Sequence, residues 1–279
     1  MKSFKSLLLY SVILIFILTL TSSFEMDTLI KQKSGKYSLD SKVMNDLFYG
    51  TNTNIDSQAT EEESENNTDT SSVEKELSLG DSGDEVFAYE KLLYYLDYID
   101  IAPTGNFGEE MESAVKKFQE DKGLETSGVL DSNTMNLLSN EPVVYHVGKQ
   151  GDEIEQYQLI LYYLDYLKVY PGGDYGTTTE TSVKNYQQEK GLDVTGNLDE
   201  LTRNSLNDEE IIYTKGKQGD SIKEFQTILI SLDYLEGTAD GQFGAKTETA
   251  VKDFQQENGL EVTGTINKET QDALNDLIN

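Results

Sequence analysis

The sequence predicts an all-α protein that contains three tandem small three-helix bundles, preceded by a signal segment and a disordered acidic linker. Two observations predict this fold class. The chain from Gly80 onward repeats itself, as shown by Gly80, Gly148 and Gly216, whose numbers differ by 68. Apolar residues inside each repeat recur at the three- and four-residue spacing of an amphipathic helix. A unit of this length is large enough to fold as a small domain.

The first element is a targeting segment over residues 1–23. Lys2 and Lys5 precede an apolar run over residues 7–20, and small polar residues follow it. This order is typical of a secretory signal peptide. The run is shorter than the roughly 20 apolar residues that usually span a bilayer. Cleavage is therefore expected, with an uncleaved signal anchor as the alternative, and in both cases the rest of the chain is predicted to be exported.

The second element is a linker over residues 24–76. Its second half, residues 51–76, consists almost entirely of Ser, Thr, Asn and Glu with few apolar side chains. Such a segment cannot bury enough apolar surface to offset the entropy lost on ordering, and its like charges repel one another. We therefore predict an unstructured acidic linker.

Composition excludes several classes of function. Lys and Arg number 22 against 51 Asp and Glu, which gives a formal net charge of −29. Nucleic acids and anionic lipids attract basic surfaces, so nucleic acid is excluded as a partner, and membrane contact is expected only through an uncleaved N-terminal segment. The chain has no Cys and one His, His146. We predict no metal site, no cofactor and no catalytic residue, and we interpret His146 as a linker residue.

The repeats define three predicted modules, over residues 77–144, 145–212 and 213–279. In the third module the first helix carries a stripe of apolar residues: Ile222, Phe225, Ile228, Leu229 and Leu232. A second helix is predicted after the Phe243-Gly244 pair, and a glycine at its end suits a left-handed cap. A short third helix is predicted to begin after Asn267, and after Asp131 and Asp199 in the other modules, because these side chains suit an N-cap.

The repeated motif resembles a known family. It reads G-x-x-G-D-x-[VI]-x-x-[YF]-[EQ] and later G-x-[FY]-G-x-x-T-x-x-[AS]-V-x-x-[FY]-Q, and the third module fits it best. This pattern resembles the type 1 peptidoglycan-binding domain, and the resemblance covers residues 80–279 in three copies. That family is a non-catalytic three-helix module of cell-wall hydrolases and spore-cortex enzymes. The resemblance therefore implies binding to the glycan strand, the stem peptide or both.

Some positions depart from the family pattern. Asp97, Asp165 and Asp233 stand where the family often has Gly at the end of the first helix. Glu90 and Met111 of the first module replace a Gln and a Thr that the other modules keep. If those polar groups touch a ligand, the first module is the weakest binder or a spacer. Residues 24–79 are too few and too polar to form a catalytic domain, so none is expected beside the modules.

Two residue types are candidates for ligand binding. Aromatic rings stack on sugars and amide groups bind peptides. The candidates are Tyr98, Tyr166, Tyr234, Gln119, Gln187, Gln255, Gln158 and Gln226. The alternatives are that the tyrosines seal the bundle ends or pack between repeats, and that the glutamines cap loops. The same alternatives apply to a second group of tyrosines that cannot all lie on the buried stripe: Tyr94, Tyr95, Tyr162 and Tyr163.

The function predicted from these features is attachment to peptidoglycan, in the vegetative wall or the spore cortex, by a non-catalytic protein that is extracellular or wall-associated. A wall enzyme is the second predicted partner. One alternative is a wall hydrolase or its accessory subunit. Another is an exported adaptor that binds a protein.

Overall fold

The computed structural model describes residues 76–277, and this part of the chain is all-α, with nine helices. The predicted signal segment and all but the last residue of the predicted linker lie outside the described residues. The helices of the first repeat are α1 (Asp84–Tyr95), α2 (Glu109–Asp121) and α3 (Ser132–Ser139). Those of the second are α4 (Asp152–Tyr163), α5 (Thr177–Lys190) and α6 (Glu200–Asn207). Those of the third are α7 (Asp220–Ser231), α8 (Ala245–Glu257) and α9 (Lys268–Asp276).

The chain divides into two compact units. One unit runs to Glu90 and resumes over Pro103–Asn140, and the other comprises Lys91–Ala102 and Glu141–Asn279. The division falls inside α1, so neither unit coincides with a predicted module, and the module boundaries stay predictions. Within residues 76–277 no helix is long and apolar enough to cross a bilayer.

The third repeat shows how each bundle forms its core. Ile222 and Leu229 on α7, Phe254 on α8 and Leu274 on α9 are fully buried in one cluster. Each such side chain contributes about 1.5–3 kcal/mol by leaving water. The segment before α7 is held at Tyr213, whose backbone exchanges two hydrogen bonds with Ile266 at 3.1 and 3.0 Å. This pairing ties the segment before the first helix to the segment before the third helix.

The predicted start of the short third helix is confirmed in every repeat. The side chain of Asp131 accepts a hydrogen bond from the Thr134 N–H at 2.7 Å, and Asn267 accepts one from the Thr270 N–H at 3.0 Å. Asp199 does the same with Thr202 at 2.8 Å. Each cap satisfies one of the backbone donors that a helix leaves without an internal partner.

An aspartate in the left-handed conformation lies two residues after the end of the first helix in each repeat. The φ angles are 65° at Asp97, 69° at Asp165 and 63° at Asp233. They are the only non-glycine residues with positive φ in the described range. The next N–H group, that of Tyr166 in the second repeat, donates to the Leu161 carbonyl at 2.9 Å. Asp tolerates this conformation better than most residues, which explains why it can replace the family's Gly.

Candidate functional site

The glutamines of the second helices hold the loop that leads to the third helix. Gln255 is fully buried, and its Oε1 accepts from the Gly264 N–H at 2.8 Å. Its Nε2 donates to the Thr265 carbonyl at 2.9 Å and to Thr270 Oγ1 at 3.0 Å. Gln119 and Gln187 make the equivalent bonds. The geometry favours the loop-capping alternative, and direct contact of these residues with a ligand stays a prediction.

The glutamines of the first helices fasten the loop before the second helix. Gln226 Oε1 accepts from the Gly241 N–H at 2.8 Å, and its Nε2 donates to Thr247 Oγ1 at 3.1 Å. Gln158 repeats both bonds with Gly173 and Thr179 at 3.0 and 2.8 Å. Both glutamines are buried. Their amide groups are therefore already engaged inside the module. A role of these glutamines in ligand binding stays a prediction.

The departures in the first repeat have an internal explanation. Glu90 is buried and its carboxylate accepts from the N–H groups of Thr104 and Gly105 at 2.6 and 2.7 Å. A carboxylate has no N–H to donate, so an acceptor such as a threonine hydroxyl is not needed beside it. Met111 occupies that position and is buried. The two substitutions therefore belong together, and nothing in this geometry makes the first repeat the weaker binder.

The tyrosines at the ends of the first helices are partly exposed. The ring of Tyr234 meets the edge of Phe254, with centroids 5.3 Å apart and planes at 86°, and its hydroxyl donates to Glu257 at 3.0 Å. Tyr166 packs on Tyr186 with the same separation and angle. Burial, together with the neighbouring Glu257, raises the pKa of Tyr234 above its ordinary value. Tyr98 is likewise partly buried. These rings seal the bundle and still present part of their surface to solvent.

A groove lies beside Tyr234. It has a volume of about 370 Å³ and is lined by Tyr234, Leu235, Glu236, Ala245, Lys246, Thr249 and Ala250. Leu235 and Ala250 are buried and form its apolar floor, while Glu236, Lys246 and Thr249 are exposed at its edge. Sequence reasoning found only the tyrosine, because exposed residues of a loop and a helix face carry no periodic signal.

The tyrosine pairs lie between successive repeats. Lys217, at the start of the third repeat, is buried and its Nζ donates to the Tyr162 carbonyl at 2.6 Å and to Asp165 Oδ1 at 2.7 Å. The same ammonium lies 4.5 Å from the centre of the Tyr162 ring. Tyr163 packs edge-on against Tyr213, with ring centroids 4.9 Å apart. The alternative that these tyrosines pack between repeats is thus the observed one.

The same arrangement is found where the first repeat is followed by the second, and all its residues belong to the second compact unit. Lys149 donates to the Tyr94 carbonyl at 2.6 Å, forms an ion pair with Asp97 at 2.6 Å, and lies 4.5 Å from the Tyr94 ring centre. His146 adds a contact of 3.0 Å between its Nε2 and Asp97 Oδ2. Burial acts to raise the pKa of Asp97, but Lys149 and His146 outweigh it and lower that pKa. His146 is therefore more than the plain linker residue that the sequence predicted.

Residues 82–138, 150–206 and 218–274 each match a family described as putative peptidoglycan binding domain. The chain belongs to this family. The resemblance inferred from the repeated motif and the count of three copies are therefore confirmed. Within residues 76–277 no group of three His, Cys, Asp or Glu side chains is arranged to hold a metal ion.

Curated relatives match this chain over only a small part of their own length. The chain is 31% identical to the N-acetylmuramoyl-L-alanine amidase CwlM of Mycobacterium tuberculosis over 106 residues, which cover 34% of this chain and 26% of that protein. It is 45% identical to a probable CtpA-like serine protease of Staphylococcus aureus over 65 residues, which cover 22% of this chain and 13% of the protease.

Two solved structures are also similar. The SleB N-terminal domain is 28% identical with a TM-score of 0.25, covering 25% of this chain and 97% of that domain. A peptidoglycan-binding protein from Clostridioides difficile, in complex with glutamine hydroxamate, is 20% identical with a TM-score of 0.24, covering 49% of this chain and 92% of that one.

Proposed function

We propose that the chain is a non-catalytic attachment protein that binds peptidoglycan through its three modules. The observation that carries the proposal is the threefold match to the peptidoglycan-binding family, over residues 82–138, 150–206 and 218–274. All nine helices of the described range begin within these segments; six also end within them, and three end one or two residues beyond. The described part of the chain is thus built from binding modules and the short connections between them.

The partly exposed tyrosines at the first-helix ends are the proposed contact residues. Tyr98, Tyr166 and Tyr234 occupy equivalent positions, and Tyr166 and Tyr234 each have a ring edge fixed by an aromatic neighbour. A fixed aromatic ring loses little conformational freedom when it stacks on a sugar ring or an aliphatic peptide group. The buried glutamines, including Gln158 and Gln226, are proposed to act behind this surface by holding the adjacent loops in place.

Three modules on one chain suit a polymer that repeats its binding unit. The net charge of −29 gives no electrostatic attraction to anionic wall polymers, so each module must bind through a few short-range contacts. When one module is bound, the next meets its site at a high effective concentration, which raises avidity by roughly 10²–10⁴ where the geometry permits. Weak sites can then give stable attachment to the wall or to the spore cortex, outside the cytoplasmic membrane.

The test is co-sedimentation of the full chain with purified sacculi, combined with a turbidity measurement on the same suspension. We expect the protein in the pellet and constant optical density. Replacement of both Tyr166 and Tyr234 by Leu should release protein into the supernatant. Leu201→Ala is the control, because Leu201 is a 71% exposed residue of α6 that makes none of the ring contacts of Tyr166 and Tyr234 described above.

The other outcomes identify the alternatives. A falling optical density would show a wall hydrolase. Protein that stays in the supernatant with sacculi, but is retained on a column of immobilised wall enzyme, would show an adaptor for that partner. Either result would overturn the proposal.

A further inference from the structure

The groove beside Tyr234 combines features that suit a peptide rather than a bare sugar chain. Its floor is apolar, formed by Leu235 and Ala250, and its volume of about 370 Å³ is that of a small ligand site. Two opposite charges, Glu236 and Lys246, line the same groove. Glycan strands offer hydroxyl and acetamido groups along their length, whereas a stem peptide offers alanine methyl groups and carboxylates.

Lys246 is the cation available in this groove. It is exposed on the first turn of α8, and no ion pair joins it to another residue of the range 76–277. By contrast, the nearby lysines Lys215 and Lys252 are both paired with Glu248, at 3.1 and 2.6 Å. An unpaired ammonium at the edge of an apolar groove attracts an anion without first breaking another contact.

The equivalent positions in the other repeats differ in charge. Where the third repeat has Glu236, Ala245 and Lys246, the first has three carboxylates: Asp100, Glu109 and Glu110. The second repeat has Lys168, Thr177 and Thr178. Lys168 forms an ion pair with Asp165 at 3.5 Å, so part of its charge is neutralised. The first repeat thus has no cation at these positions, and only the third has a lysine there that no ion pair engages within residues 76–277.

We propose that the groove of the third repeat binds the free carboxylate end of a peptidoglycan stem peptide. The Lys246 ammonium binds the carboxylate, the alanine methyl groups lie on Leu235 and Ala250, and the Tyr234 ring forms the side wall. This inference rests on the proposed peptidoglycan attachment and adds a specificity to it. The three repeats of one chain are then unequal, with peptide recognition concentrated in the last.

The experiment uses the full chain and a soluble disaccharide-tetrapeptide with a free C-terminal carboxylate. Its partner probe is the same molecule with that carboxylate amidated. Titration of ¹⁵N-labelled protein should shift the amide signals of residues 234–236 and 245–250. The amidated probe and the variant Lys246→Glu should each weaken binding by about two- to fivefold, the range of an exposed ion pair. The free-carboxylate affinity should fall as salt is raised.

Lys223→Glu is the matched control. Lys223 is exposed on α7 of the same repeat and does not line the groove. Its replacement by Glu changes the net charge by the same amount as Lys246→Glu. It should leave the affinity for both probes unchanged. A general charge effect would instead weaken binding in both variants alike, and that result would overturn the assignment of Lys246.

Sacculi distinguish failure of this inference from failure of attachment. If the wild-type chain sediments with sacculi but binds both soluble probes equally, or binds neither, attachment holds and the peptide subsite is wrong. If it sediments equally with sacculi whose stem peptides were removed enzymatically, the subsite is again wrong. If it sediments with no form of sacculus, the attachment itself fails.

Discussion

The end of the first helix has two different environments in the second and third repeats. In the second repeat the Tyr162 carbonyl and Asp165 accept hydrogen bonds from Lys217 of the next repeat, and the Tyr163 hydroxyl donates to the Gln218 carbonyl. In the third repeat the corresponding residues are Ile230, Ser231 and Asp233, and no ion pair reaches Asp233 from any described residue. The backbone is nevertheless the same, with φ of 69° at Asp165 and 63° at Asp233. The left-handed aspartate is therefore a local feature, and its ionic role depends on a following repeat.

The beginnings of the repeats show the complementary difference. Lys149 and Lys217 start the second and third repeats, whereas the same position in the first repeat is Asp81. Within its own unit, the Asp81 carboxylate accepts a hydrogen bond from the Ser78 N–H at 2.8 Å. The lysine is thus present only where a preceding repeat supplies two tyrosines and an aspartate. The junction, by which we mean the contact of this lysine with the tyrosines and the aspartate of the preceding repeat, is therefore formed twice in the described residues.

The largest expected effect is a loss of stability when the core of the third repeat is disrupted. Leu229→Ala removes a fully buried side chain from the third repeat and should destabilise that repeat by about 2–5 kcal/mol. Leu201→Ala, at a 71% exposed position, should change stability by no more than about 0.5 kcal/mol. Amide hydrogen exchange of the full chain measures the protection of the second and third repeats in one experiment. Unchanged protection throughout α7–α9 in Leu229→Ala would contradict the core described above.

A smaller effect should follow from crowding the junction. Gly219 has φ of 149°, and a Cβ there would lie 2.3 Å from the Tyr163 hydroxyl, so Gly219→Ala should cost about 1–3 kcal/mol. Gly83 occupies the same position in the first repeat with φ of 126°, and its Cβ would meet nothing within 4 Å. Gly83→Ala therefore reports backbone strain alone.

Removing the hydroxyl separates the two causes in Gly219→Ala. In a Tyr163→Phe background, the clash is relieved and thermal unfolding should show part of the stability restored. The cycle also corrects for the bond from the Tyr163 hydroxyl to the Gln218 carbonyl at 3.3 Å. Equal costs in both backgrounds would mean that the close approach at the junction has no energetic consequence.

The smallest effect concerns the two aspartates. The hydrogen bond from Lys217 lowers the pKa of Asp165, so Asp165 stabilises the fold above its unfolded pKa of about 3.9, and this contribution is lost as pH falls through the lower folded pKa. Because Asp165 is 67% exposed, Asp165→Asn should cost at most about 1 kcal/mol at pH 7 and less near pH 2.

Asp233→Asn is the matched variant, since Asn also tolerates positive φ. Its melting temperature should equal that of the wild type at both pH values, because no lysine reaches Asp233. A pH-dependent difference for Asp233→Asn as large as that for Asp165→Asn would show that the ion pair with Lys217 is not the cause.

Much of the fold followed from patterns within a few residues. The apolar stripe of Ile222, Phe225 and Leu229, the N-cap at Asn267 and the left-handed glycine at the end of the second helix all depend on neighbours in the sequence, and all were predicted. Helix formation and capping involve contacts over three or four positions, so local spacing carries the information. Because the pattern occurs three times, each of these local features recurs in all three repeats.

The roles of the polar and aromatic side chains required contacts between distant positions. Lys217 bonds to Tyr162, 55 positions earlier, and Gln226 bonds to Thr247, 21 positions later. No periodicity reports such pairs, and a tyrosine at a junction has the same local spacing as one that faces a ligand. Only the tertiary structure decided the burial of Lys217, the joint replacement of a Gln and a Thr by Glu90 and Met111, and the charged groove beside Tyr234, because each depends on which surfaces meet across the bundle.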